Sequence, residues 1–397
     1  MDTCHLTHIS QSPTEDGFVQ NPYPFYDRAR AIGPLVWWED YNRACATTHD
    51  AVGTFLKDKR FGREIPAEMV AEAPAHLKPF WDMESHSMLE LEPPVHTRLR
   101  GLVLRAFTSR RIAALAPEIE VLCNQLVDHF PSGDFDLLAA YARPIPVIII
   151  ARLLGVPESM SDQLLTWSNA MVSMYQARKT RAIEDAAVRA TVEFSDFIRG
   201  YIADKRKSPA DDLISELIAA EEKGEKLSTD ELITTCILLL NAGHEATVHT
   251  IGNGVKILLE TGIRPDGNAE AIAEEVMRFD PPLHMFTRYA YEDVTLYDHA
   301  FRRGDQVACL LAAAGRDPLP YPDPRRFDPT RKRVLHHAFG AGIHFCVGAP
   351  LARLELDIAF RTLFARVPAL ALAEKPRYAN VYHFHGLERL LVSNAKG

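Results

Sequence analysis

The stretch His337-Ala338-Phe339-Gly340-Ala341-Gly342-Ile343-His344-Phe345-Cys346-Val347-Gly348-Ala349-Pro350 governs how the rest of this chain is read. Its glycines permit tight turns, Pro350 suits the first turn of a helix, and Leu351-Ala352-Arg353-Leu354-Glu355-Leu356 continues with helical periodicity. Cys346 therefore stands just ahead of a helix N-terminus, where free N–H groups and the helix dipole favour thiolate. A thiolate there serves as a nucleophile or as a ligand. Gly340-x-Gly342 fits half of a dinucleotide loop poorly, since no strand pattern precedes it and the third glycine is misplaced. A cysteine hydrolase using Cys346, or a small core cysteine without chemistry, stays open at this point.

Working outward, the chain has 397 residues, with 44 Lys+Arg against 53 Asp+Glu, 47% hydrophobic residues and 24% charged ones. Those proportions suit a soluble protein with a large core, and the net charge of −9 argues against coating nucleic acid. Cysteines fall at 4, 45, 123, 236, 309 and 346. They are too sparse for a disulfide scaffold and too far apart for a C-x-x-C pair, so a reducing setting is expected and any reactive cysteine works alone. Met1 to Gln20 lacks the basic start and apolar stretch of a signal peptide. The longest apolar runs, such as Pro146–Ala151 and Ile237–Leu240, fall far short of the roughly 20 residues that cross a bilayer. A cytoplasmic protein is expected, with no membrane or nucleic-acid partner.

Helical spacing dominates, over Ile112–Phe130, Met160–Lys205 with a break, Ser228–Leu259, Ala269–Phe279 and Pro350–Val367. Strand-like alternation is confined to Leu35–Trp38 with Ala44–Thr47, to pieces around Phe286–Leu310, and to Leu387–Val392. The fold class expected is mainly α with small β-sheets. Ser228-Thr229-Asp230-Glu231 fits a capping box, with Leu227 and Leu232 at the positions of a hydrophobic staple. The long helix that starts there turns polar midway, at Asn241-Ala242-Gly243-His244-Glu245-Ala246-Thr247. Leu238, Ala242, Glu245, Ala246 and His249 share one helical face. His244 and His249 are five residues apart rather than four, so a zincin-type metal pair is excluded.

With these features assembled, Phe339-x-x-Gly342-x-His344-x-Cys346-x-Gly348 resembles the haem-binding loop of the cytochrome P450 haem-thiolate monooxygenases. Glu275-x-x-Arg278 resembles the family's Glu-x-x-Arg helix, and Pro324-Arg325-Arg326-Phe327 the meander after it. Ala242-Gly243-x-Glu245 resembles the oxygen-binding bend of the long helix. Pro93-Pro94-Val95-His96-Thr97-Arg98-Leu99-Arg100 resembles the helix beneath the haem, and Asn21-Pro22-Tyr23-Pro24 the N-terminal segment of soluble bacterial members. The resemblance spans nearly the whole chain and implies one domain, 1–397, with the cytochrome P450 fold and a long central helix crossing over the haem.

The resemblance further implies haem b (iron protoporphyrin IX), with Cys346 as the axial ligand of its iron and Phe339, Gly340 and Gly348 shaping the loop around the sulfur. His96, Arg100, Arg288 and His344 are expected on the haem propionates. Glu275, Arg278 and Arg326 form a buried structural triad in the family. Ala242, Gly243, Glu245, Ala246 and Thr247 fall at the catalytic bend, and here the sequence departs from the family. Threonine usually follows the acid, its hydroxyl ordering water for proton delivery, whereas this chain has Ala246. Thr247 is no replacement, because one residue along a helix turns the side chain by about 100°. Glu245 is then expected to share the task with local water, a substrate hydroxyl or Asn241.

Expected substrate contacts are Leu238, Asn241, Leu283, His284, Phe286 and Trp81, with Met171, Met174 and Tyr175 in an adaptable roof and His383 as a second polar anchor. The reaction expected is insertion of one atom of dioxygen into a small or medium-sized, largely apolar organic substrate. Electrons would come from an external ferredoxin or flavodoxin with its reductase, docking on a basic patch of Arg98, Arg105, Arg110 and Arg111, and the protein would be a monomer. Ala246 keeps two alternatives open, a haem protein that senses a ligand without turnover and a peroxide-using variant.

Overall fold

The computed structural model describes residues 6–175, 179–222, 227–382 and 384–394, so Cys4 and His383 lie outside the described residues. Its axis is the helix Thr229–Thr261, 33 residues long. The capping box is present: Ser228 Oγ accepts from Glu231 N at 3.1 Å, and Glu231 Oε2 accepts from Ser228 N at 2.7 Å. Leu227 and Leu232, the staple pair, are both buried. Gly262, with φ of 72°, ends the helix in the left-handed conformation that glycine adopts without strain. The helix is thus roughly 50 Å long and reaches across the molecule. Its glycines admit neighbours at close range; a Cβ on Gly252 would lie 2.7 Å from Leu138, and one on Gly243 would lie 3.2 Å from Ile150 of the helix Pro144–Leu154.

The expected helix Ala269–Phe279 forms with those bounds, and Pro350–Val367 becomes Ala349–Arg366. Ile112–Phe130 is two helices, Ser109–Ala114 and Ala116–Asp128, because Pro117 has no N–H to continue the first ladder and suits the first turn of the second. Met160–Lys205 is Ser161–Val172 and Arg181–Lys207. One six-stranded sheet runs in the order His8–Ile9, Leu35–Trp38, Arg43–Ala46, Gln306–Leu310, Met285–Ala290, Phe61–Gly62. Leu387–Val392 divides between two smaller sheets, as Leu387–Arg389 and Leu391–Asn394. Among the described residues, no helix is long and apolar enough to cross a membrane.

Glu275 and Arg278 are buried on the helix Ala269–Phe279, at 5% and 3% exposure, so each charge needs a partner. Arg278 Nε donates to Glu275 Oε2 at 2.7 Å and Nη2 to Oε1 at 2.6 Å. Its remaining donors reach the carbonyls of Gly315 at 2.8 Å, Pro324 at 3.0 Å and Arg326 at 3.2 Å. The third side chain is Arg331, whose Nε lies 3.2 Å from Glu275 Oε1. This corrects the expectation for Arg326, which is exposed and contributes only its carbonyl. Burial of the next residue, Phe327, against Phe279 turns the Arg326 carbonyl inward, and the turn at Asp328–Thr330 brings Arg331 back to the carboxylate.

Glu275→Gln leaves Arg278 and Arg331 sharing a neutral acceptor in the interior. A loss of about 3–5 kcal/mol is expected in reversible urea unfolding, whereas Arg326→Gln should change it by less than about 0.5 kcal/mol.

Candidate active site

Cys346 lies in the turn between the six-stranded sheet and the helix Ala349–Arg366. Its N–H donates to the carbonyl of Phe339 at 2.9 Å, closing the loop. Gly340 and Gly342 both have φ of 70°, and a Cβ on Gly342 would lie 2.5 Å from the carbonyl oxygen of Leu56. Glycine is required there on both counts. Burial pushes the Cys346 thiol up, opposed by the N–H groups of Gly348 and Ala349 and by the charges of Arg100 and Arg353. Burial outweighs them, while the N–H groups at the helix start act in the expected direction, toward thiolate. Cys45, Cys123, Cys236 and Cys309 are fully buried, and desolvation pushes each thiol up to about 12, which leaves them inert.

Along the central helix one stripe is open while its flanks are closed. Ala242 is exposed and Leu238, Asn241, Glu245, Ala246 and His249 are half-buried, whereas Leu239, Leu240, His244, Thr247 and Val248 are buried. This is the face marked by the sequence spacing. Thr247 is turned away from it, with its hydroxyl directed to the carbonyl of Gly243 at 3.4 Å. Asn241 offers Nδ2 to the sulfur of Met171 at 3.8 Å.

The expected cationic partners are placed by three segments. Arg288 is 2% exposed and donates to the carbonyl of Thr287 at 2.9 Å; among the described residues no carboxylate lies within ion-pair distance. Desolvation pulls its pKa down. His96 is held neutral, its pKa lowered to about 4 by burial, and its Nδ1 has no hydrogen-bond partner. The His96 ring lies 4.4 Å from that of His344, whose Nε2 is 2.9 Å from Glu92 Oε1. Arg100 donates to the carbonyl of Phe345 at 2.5 Å, so it braces the cysteine loop directly.

Glu92 and Arg63 escaped the sequence reading. Glu92 accepts from the Arg63 N–H at 2.7 Å as well as pairing with His344, and the Arg63 guanidinium lies over Phe286 at 5.7 Å. These contacts join distant parts of the chain and leave no local pattern.

Two expected substrate contacts are placed elsewhere. His284 is fully buried, with Nδ1 2.9 Å from the Tyr26 hydroxyl, inside a polar cluster with Asp280 and His385. Asp280 already accepts from the hydroxyls of Tyr23 at 2.6 Å and Tyr378 at 2.5 Å. Partners from other segments draw His284 into the core, while Leu283 and Phe286 stay half-buried. Trp81 is exposed, with ring contacts to Phe80 and Lys179. It sits on the outer side of the helix Lys78–Glu84, whose Phe80, Met83 and Glu84 are buried.

Comparison with known proteins gives this arrangement its context. The family model for cytochrome P450 matches residues 25–261 and 269–367. The chain belongs to the cytochrome P450 family. The polyketide biosynthesis cytochrome P450 PksS of Bacillus subtilis is 37% identical over 96% of this chain and 97% of its own. The 6-deoxyerythronolide B hydroxylase of Saccharopolyspora erythraea is 36% identical over 90% and 91%. The crystal structure of P450BioI in complex with hexadec-9Z-enoic acid ligated acyl carrier protein has 33% identity and a TM-score of 0.89, covering 95% of this chain and 100% of that one. The enzyme is accordingly a cytochrome P450 monooxygenase, an oxidoreductase that the family equips with a haem iron.

The residues present fit that group. A half-buried thiol at the cysteine loop, a buried guanidinium with no carboxylate partner among the described residues and an orphaned His96 nitrogen are the donor set for an anionic, iron-bearing ligand. Arg288→Met is expected to cut haem retained per chain severalfold while raising the stability of the haem-free chain by about 1–3 kcal/mol, because it removes an unpaired buried charge. Haem absorbance per chain and calorimetry of the apoprotein measure the two effects.

Proposed function

We propose that Cys346 is the axial ligand of a haem b iron, and that the 397 residues act as one monomeric haem domain. A half-buried cysteine just ahead of a helix start, in a glycine loop closed by its own N–H on the Phe339 carbonyl and braced by Arg100, is the observation that carries this reading. Thiolate ligation supplies the chemistry, activation of dioxygen for insertion of one oxygen atom into a C–H bond or a related oxidation. Gly340, Gly342 and Gly348 keep the backbone close to the sulfur, and the N–H groups of Gly348 and Ala349 temper its donation. Arg288 and His96 hold propionates; Arg100 and His344 act beside them, Arg100 through Phe345 and His344 through Glu92.

The substrate is a small or medium-sized, largely apolar organic molecule lying along the open stripe Leu238–Asn241–Ala242–Glu245 and against Leu283 and Phe286. Support comes from those side chains and from relatives whose names concern polyketides or include a fatty acid tethered to a carrier protein. Glu245 and Asn241 order water where the usual threonine hydroxyl is missing. The same absence at Ala246 favours a second reading in which peroxide supplies the oxygen.

The electron donor is a ferredoxin or flavodoxin. Of the four arginines first considered, Arg98 is paired with Glu231, and Arg111 with Asp211 and Glu216, which leaves Arg110 as the sharper probe of the docking face. Arg110→Glu should slow reduction by a surrogate ferredoxin several-fold at low salt and by less at high salt; stopped-flow kinetics with no change would remove this face from consideration. Cys346→His should abolish the thiolate signature of the reduced carbonyl complex and substrate-dependent oxygen uptake. Retention of both would overturn the assignment of Cys346.

A further inference from the structure

The acid of the bend is clamped by two imidazoles of its own helix. His249 Nε2 lies 3.3 Å from Glu245 Oε1, and His244 Nε2 lies 3.3 Å from Oε2. The two are not equivalent. His244 Nδ1 faces the carbonyl of Leu240 at 2.9 Å, which commits that nitrogen as a donor to the helix backbone and leaves Nε2 toward Oε2 of Glu245. His249 has no acceptor at Nδ1, so its neutral ring carries the proton on Nε2 and donates it to Glu245.

The His249 ring is also seated. A Cβ on Gly386 would occupy the place of its Nδ1, and the Phe384 ring stands 5.9 Å away. On the stripe from Leu238 to His249, Ala246 has no hydroxyl, the Thr247 hydroxyl is turned to Gly243, and the Asn241 amide reaches Met171. The Glu245 carboxylate is the charged acceptor that remains, beside the unpartnered Oδ1 of Asn241.

Resting on the monooxygenase reading above, we propose that His249 is a positioning residue: its Nε2–H fixes Oε1 of Glu245, so that Oε2 orders water on the open stripe in place of the hydroxyl absent at Ala246. Burial pushes the Glu245 carboxyl up, but the histidine contacts outweigh it and hold the group well below the usual carboxylate range. Removing the His249 donor leaves burial in place, so the Glu245 value rises and the ionised form is lost at a higher pH on acidification. Facing these groups are His244 on the same helix and His385 on the turn that carries Gly386. His385, lowered to about 4 by burial, also feels His249, Asp280 and Lys256.

The test uses holoenzyme of the natural sequence and of His249→Leu, His249→Gln and Gly386→Ala, with Glu245→Gln to assign the infrared band of that carboxyl. In the natural protein the Glu245-dependent protonated band should be missing throughout the pH range of the folded state. In His249→Leu it should appear, shifted upward by about one to three pH units. His249→Gln, which keeps an N–H donor, should fall between them, and Gly386→Ala should follow His249→Leu by displacing the ring. If His249→Leu fails to bind haem, Gly386→Ala and His249→Gln decide the outcome.

The acid limb of NADPH oxidation, driven through a surrogate ferredoxin and its reductase without added substrate, should move up in the same order. An unshifted band, or activity lost at all pH values with the limb in place, would overturn the inference. A natural protein without the thiolate carbonyl spectrum would instead sink the monooxygenase reading, and the infrared titration would still report on the clamp.

Discussion

Two adjacent carboxylates on one short helix hold the cysteine loop in place. Glu275 faces inward and fastens Arg278, Arg331 and the amide of Asp328, tying down the segment that leads toward the loop. Glu274 faces the other way and takes Arg353 at 2.5 Å, Arg333 at 3.3 Å and His336 at 3.5 Å. Arg333 and His336 precede Cys346, and Arg353 follows it on the helix Ala349–Arg366. Burial raises the Glu274 carboxyl, yet its basic neighbours overcome this and hold it well below the usual range. The turn between them is thereby held by a buried pair at Glu275, costly to break, and by a half-exposed network at Glu274.

A second theme is that the protein keeps charges and polar atoms it does not satisfy by itself. Arg288 is buried with no carboxylate partner among the described residues, His96 is neutral with an unpaired nitrogen, and burial pushes the half-exposed Cys346 thiol up. Each feature lowers the stability of the bare chain, and all three are relieved by one anionic, iron-bearing partner. Binding of the cofactor and folding of the site are therefore coupled, whereas the buried Asp280–Tyr23–Tyr378 cluster meets its own needs through hydroxyl donors.

Much of the frame was legible because its signals are local. The capping box at Ser228, the helix Ala269–Phe279, the strand Leu35–Trp38 and the open stripe on the central helix all depend on spacing within a few residues. The errors came from what spacing does not encode. Arg331 replaced Arg326 because burial of Phe327 fixes which way the loop turns. His284 is a core residue rather than a pocket one because Tyr26, from a distant helix, meets its ring inside the fold. The spacing places Glu245 and His249 on one face of the central helix, but the contact of His249 with Gly386 comes from a distant segment.

By itself, the sequence determined the fold class, the glycine loop that carries Cys346 and the open face of the long helix, since glycine conformation, helix caps and 3.6-residue periodicity are properties of contiguous residues. Tertiary structure decided the surroundings and reach of the groups in that frame: a half-buried thiol, a guanidinium with no carboxylate partner among the described residues, an arginine bound to a carbonyl and a carboxylate clamped by His249 beside Gly386. The reason is that desolvation and pairing depend on which distant segments close over a side chain, and these segments meet only in the folded state.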